Sequence, residues 1–153
     1  MLQTLSNVEE SLIVLLKDLA SSLRHGGATI DVRRAPQIQH EGVSIALIPS
    51  NQNASPIVAD ATNRSPVISL VLGKSTLIEV VQRNETARSE EVRKICEAVI
   101  GGRFQEDLTC VGSEIMKCIG RIEIDGKIHV STYRGRLFPF RRTQQRHMSY
   151  APY

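Results

Sequence analysis

Aromatic side chains are scarce in this chain: they make up 4% of its 153 residues, and tryptophan is absent. A core made without them has to be packed from Ile, Val and Leu, which are plentiful here. Cysteine is also rare. The three residues Cys96, Cys110 and Cys118 are odd in number and form no CxxC pair, which argues against a disulfide framework and for a reducing, cytoplasmic compartment. Long apolar runs are missing too. The longest, Leu12 to Leu16 and Val67 to Leu72, are far too short to cross a bilayer, so no membrane association is expected. No Lys or Arg precedes Lys17, and the first apolar residues are periodic rather than continuous, so no signal peptide is expected. Without one, the glycosylation patterns Asn53-Ala54-Ser55 and Asn84-Glu85-Thr86 read as chance matches.

What is present is ordinary in amount and uneven in distribution. A hydrophobic fraction of 41% and a charged fraction of 23% suit a globular chain, and the length suits one domain. The net charge of +3 is too small to imply an anionic partner by itself. Six of the 19 basic residues fall between Gly126 and Tyr153 with no acidic residue among them, which leaves 13 against all 16 acids in positions 1–125. A mildly acidic body thus carries a basic end.

Val8, Leu12, Leu15, Leu16, Leu19 and Leu23 recur at helical spacing and predict a helix over about Val8 to Arg24. Ser6 and Glu9 stand at capping-box spacing, and Gly26-Gly27 supply the stop. A second helix is predicted over Glu90 to Ile100, capped by Ser89, buried through Val92, Ile95, Cys96, Val99 and Ile100, and ended by Gly101-Gly102. The remainder reads as strands: around Ile30 and Val32, Val43 to Ile48, Val67 to Leu72, Thr76 to Val81, a stretch through Phe104, Leu108 and Cys110, Ile115 to Ile124, and Lys127 to Tyr133. Gly73-Lys74 reads as a two-residue turn and Asp125-Gly126 as a strong hairpin signal, with Ile122, Ile124, Ile128 and Val130 on the core side. Centring that hairpin on Asp125-Gly126 pairs Ile124 with Lys127, His129 with Ile122 and Tyr133 with Cys118.

The expected fold is therefore α+β. A mainly antiparallel sheet of about six to seven strands carries two amphipathic helices on one face, in the order α-ββββ-α-βββ. Residues 1–137 form a single domain in this reading, and 138–153 a loosely ordered basic, aromatic-containing tail. The stretch from Pro49 to Pro66, rich in Ser, Asn, Ala and Pro, reads as one long loop.

The catalytic and metal patterns fail one after another. Gly73-Lys74-Ser75-Thr76 looks like the end of a phosphate-binding loop, but Ile68 stands where the first glycine belongs and strands flank the turn, so a hairpin is expected. The four histidines are scattered, with none at i, i+4 spacing, and no metal or other cofactor is expected. His129 does not reach Cys118, which reads as core rather than nucleophile. Glu90-Glu91 and Glu106-Asp107 read as solvated surface, and the second pair cannot converge because neighbours in a strand point to opposite faces.

The basic end is the one candidate binding feature: Tyr133, Arg134, Arg136, Phe138, Phe140, Arg141, Arg142 and Arg146 interleave guanidinium groups with rings. Guanidinium pairs with phosphate, and rings can stack on unpaired bases or pack into a partner. The leading expectation is a non-enzymatic, immunity-like interaction module that binds another protein through a strand edge or this end. Nucleic-acid or polyanion binding through the arginines is the second, and an enzyme with an unfamiliar site the third. The immunity-like comparison rests on size and layout alone.

Overall fold

The computed structural model describes residues 8–23, 26–35, 41–135 and 142–153. Helix α1 (Val8–Ser22) buries Val8, Leu12, Ile13, Leu15, Leu16 and Leu19 along the predicted stripe. Ser6 and Arg24 lie outside the described residues. Among the described residues, the start of α1 is held from a distant turn: Glu9 N–H donates to Asn63 Oδ1 at 3.1 Å, and Asn63 N–H donates to Glu9 Oε2 at 3.3 Å. That pair has the reciprocity of a capping box and runs across the fold.

Helix α2 (Glu85–Ile100) begins more than a turn before the predicted start. Its N-cap is Asn84, whose Oδ1 accepts from Ala87 N–H at 3.0 Å, and Ser89 sits inside the helix. Asn in extended geometry is at least as good a cap as Ser, and no residue between Asn84 and Ser89 breaks a helix. The predicted face of Val92, Ile95, Cys96 and Val99 is buried, and Gly101 closes the helix by donating to Glu97 O.

Among the described residues there are nine strands, in two antiparallel sheets. The first is a meander of β1 (Ala28–Arg34), β2 (Val43–Pro49), β3 (Ile57–Ala61), β4 (Val67–Leu72) and β5 (Thr76–Val81), in that spatial order. The second holds β6 (Phe104–Val111), β7 (Glu114–Ile124), β8 (Lys127–Arg134) and β9 (Gln144–Ser149), in the order β8-β7-β6-β9. The α+β class stands, while the single sheet, the strand count and the order are corrected. Two strands were not legible. β3 lies inside the predicted long loop, where Ile57, Ala59 and Ala61 alternate inward over only five residues. β9 lies in the predicted loose tail; it is polar throughout except Met148 and is held by pairing along β6 from Gln105 to Cys110.

Both helices pack on the inner face of the first sheet and touch each other, and α2 also reaches the second sheet. α1 packs on β1, β2 and β3, whereas α2 packs on β5 and β7, one strand from each sheet. A single apolar cluster runs through both: Val43, Ile45 and Leu47 of β2, Ile68, Leu70 and Leu72 of β4, Val92 and Val99 of α2, and Phe104 and Ile122 of the second sheet. The β7–β8 hairpin has the expected register, with Ile124↔Lys127, Ile122↔His129 and Cys118↔Tyr133. Asp125 and Gly126 both take positive φ, 52° and 74°, as a two-residue primed turn requires.

That register overturns part of the predicted core side. Paired residues share a face, so Ile122 and Ile124 face the same way as His129 and Lys127. Ile128 and Val130 therefore face the other way, opposite Glu123 and Arg121, and are 66% and 60% exposed. The turn between β4 and β5 is also longer than predicted. Leu72 pairs with Thr76, which leaves three residues, Gly73, Lys74 and Ser75, in the loop.

Candidate functional site

Strict alternation along β6 aims Phe104, Glu106, Leu108 and Cys110 inward. Glu106 is thereby placed in the core with no solvent exposure, which corrects the reading of Glu106-Asp107 as solvated surface. Five donors surround its carboxylate. Oε1 accepts from Lys74 N–H at 2.7 Å and Tyr150 OH at 2.6 Å; Oε2 accepts from Ser75 N–H at 3.0 Å, Thr76 Oγ1 at 2.7 Å and Cys118 Sγ at 3.1 Å. The Gly-Lys-Ser-Thr turn does hold an anion in its backbone amides, but the anion is the protein's own side chain.

Burial alone would raise the Glu106 pKa; the hydrogen bonds from Tyr150, Lys74 N–H, Cys118 and Thr76 outweigh it and hold the carboxyl below its ordinary range. The neighbours respond in the opposite sense. Burial, with the adjoining carboxylate, pushes Tyr150 up, and burial pushes the Cys118 thiol up to about 12. A thiol so protonated is a poor nucleophile, in keeping with Cys118 as core. Gly73, at φ 59°, must stay a glycine, because a Cβ there would collide with Glu106 Oε1 and the Tyr150 hydroxyl. The cluster fastens the β4–β5 turn of one sheet to β6, β7 and the C-terminal segment of the other. Its groups are enclosed and mutually satisfied, which suits a latch rather than a reaction centre.

Asp107 points to the open face of the second sheet. It accepts from Arg121 of β7 through Oδ2 and contacts His147 of β9 through Oδ1 at 2.6 Å. The hydrogen bonds with His147 and Arg121 hold its carboxyl below the ordinary range. No group of three His, Cys, Asp or Glu residues able to hold a metal occurs among the described residues.

The residues of the predicted basic end are only partly brought together. Tyr133 and Arg134 end β8, Arg146 lies on β9, and Arg142 is exposed just before it. β8 and β9 are the two outer strands of a four-stranded sheet, so Tyr133 and Arg146 stand three strand spacings apart, ~14 Å. Arg136, Phe138, Phe140 and Arg141 lie outside the described residues.

Two features the sequence reading passed over meet at β8. A cavity of about 390 Å³ opens between α2 and the two sheets, floored by Ile78, Ile95, Ile122 and Ile124. Lys127 and His129 of β8 stand at its rim with Lys94, which is bound to Asp125 at 3.1 Å. Among the described residues, neither Lys127 nor His129 has a hydrogen-bond or ion-pair partner. β8 itself is exposed at seven of its eight positions, and among the described residues β7 is the only strand paired with it.

The other three sheet edges are handled differently. β1 carries Asp31, Arg33 and Arg34, and Arg34 binds Glu10 of α1 at 2.6 Å. β9 presents Gln144, Gln145, Arg146 and His147. β5 abuts β8, where Leu77 O accepts from Ser131 Oγ at 2.8 Å. Charge, polarity and cover are the usual means of keeping an edge from pairing. β8 has a charge only at each end, Lys127 and Arg134, and between them runs Ile-His-Val-Ser-Thr-Tyr, a sequence of strong strand formers. Comparison with known proteins returns no matching family, no matching curated protein and no matching solved structure.

Proposed function

We propose that this protein is a non-enzymatic interaction module that binds a partner protein by adding a strand to β8. The observation that carries the reading is the state of that strand: among the described residues it is an outer strand paired only with β7, and Ile128, Val130 and Tyr133 are 66%, 60% and 48% exposed. A strand added there would satisfy the outward backbone groups, and alternate side chains would meet Ile128 and Val130 on one face and the cavity rim on the other. The three buried free cysteines fit a reducing cytoplasmic setting for this work.

The test replaces the exposed apolar pair and leaves the core alone. Ile128→Lys/Val130→Lys should keep its melting temperature within a few degrees, because both side chains already face water. It should lose the nuclease-resistant protein partner that the intact chain retains. Capture that is unchanged in this variant, or that vanishes with nuclease or moderate salt, would sink the strand-edge reading and favour polyanion binding through Arg134, Arg142 and Arg146.

A further inference from the structure

We infer that the strand that pairs with β8 is the β8 of a second copy of this chain, in a two-fold antiparallel arrangement that joins two four-stranded sheets into one of eight. The inference rests on the strand-edge reading above and names its partner.

The backbone limits the choices. Along β8 the N–H and C=O groups that point away from β7 belong to alternate residues, so in a two-fold antiparallel pair the partner numbers must sum to an even value. The axis then passes through His129, Val130 or Ser131. Centred on Ser131, the pairing sets Ile128 against Arg134, an apolar side chain against a charge. Centred on His129, it draws the turn residues Asp125 and Gly126 into the ladder, where their positive φ does not fit.

Centred on Val130, all seven residues from Lys127 to Tyr133 find a compatible neighbour. On the outer face Val130 meets Val130, and Ile128 meets Thr132 on either side, a continuous strip of β-branched residues. On the inner face His129 meets Ser131, and Lys127 meets the ring of the second copy's Tyr133, a cation–π pair. No like charges stand directly opposed. The exposed Ile128 and Val130 and the unpartnered Lys127 and His129 are all given neighbours by this one register. It also brings the second copy's Tyr133 to the rim of the cavity that Lys127 and His129 line, so that each cavity would be completed by the other chain.

One strand pair makes a small interface, so the dimer should be concentration-dependent, with a dissociation constant in the micromolar range. Sedimentation equilibrium on the intact chain should show a monomer–dimer equilibrium, and Val130→Lys should weaken it at least tenfold. The register has its own test, since the native cysteines are buried and silent. Val130→Cys places one thiol beside its own copy across the axis, at a hydrogen-bonded pair position that is too wide for a direct disulfide but within reach of a short bifunctional thiol reagent, and should cross-link to a covalent dimer. Ile128→Cys faces Thr132 and should not. Rapid cross-linking of Ile128→Cys with none for Val130→Cys would overturn the register. A monomer at every concentration would overturn the second copy as partner, and amide exchange then separates the two readings. Fast exchange of the outward-facing β8 amides leaves the edge open to a different protein, whereas slow exchange in the monomer removes the free edge and the strand-edge reading with it.

Discussion

Glu106 and Asp107 are neighbours in the chain and end on opposite sides of one strand, the first sealed in a ring of donors and the second in an open row with Arg121 and His147. The sealed carboxylate makes a prediction with a definite sign. Its folded pKa lies below the unfolded value, so its contribution is fully present above about pH 4.3 and is lost as pH falls through the lower, folded pKa. Glu106→Gln puts an amide donor among five donors and should cost roughly 2–4 kcal/mol at neutral pH. It should also flatten the acid limb of the stability curve. Urea titrations of both proteins from neutral to acid pH check this, and parallel curves would show that Glu106 does not drive the acid limb. Gly73→Ala acts on the same ring, by forcing a side chain into left-handed backbone beside Oε1, and should cost ~2–3 kcal/mol. The burial of Glu106 could have been read from the strict alternation of Phe104, Glu106, Leu108 and Cys110. Its charge hid it, because carboxylates are seldom fully buried and four of its five donors come from residues 30 or more positions away.

At the scale of elements, the parts of the sequence governed by local geometry were legible and the parts governed by pairing were not. The Asp125-Gly126 turn fixed the β7–β8 register residue by residue, because a two-residue primed turn leaves no freedom in it. The same register contains the parity that exposes Ile128 and Val130, which apolarity alone concealed. β3 and β9 were missed for a related reason. Five residues within a polar stretch, and six residues with one apolar side chain, give no period to detect; they are strands because β2, β4 and β6 present edges to them. The start of α2 was legible in principle, since Asn84 stands three residues before Ala87, whose N–H it accepts. Asn84→Ala should lower stability by ~1 kcal/mol, whereas Ser89→Ala, now inside the helix, should be neutral or mildly stabilising. Chemical denaturation of the two variants distinguishes the caps, and a larger loss from Ser89→Ala would restore the later start.

Over the whole molecule, the last dozen residues hold the two sheets together rather than trailing from them. β9 pairs along β6; the Tyr150 ring stacks on Phe104 with centroids 5.1 Å apart and its hydroxyl binds Glu106; the Tyr153 hydroxyl donates to Ser55 O at 2.7 Å. Ala151 N–H donates to Asn53 O, so the segment reaches the loop before β3 as well. A copy ending at Gly135 loses a buried aromatic side chain, itself worth ~3–5 kcal/mol, and uncovers one edge of β6. It also strips a donor from a buried carboxylate. Set against total stabilities of about 5–15 kcal/mol for domains of this kind, those losses should leave the shortened chain largely unfolded. Tyr150→Phe isolates one part of the effect: stacking is retained, the hydroxyl is lost, and the expected cost is ~1–3 kcal/mol. Circular dichroism of the shortened chain decides the matter. A cooperative melt near that of the intact protein would mean that the rest of the body does not depend on its C-terminal segment, and that basic residues beyond Gly135 can be removed to test binding without disturbing the fold.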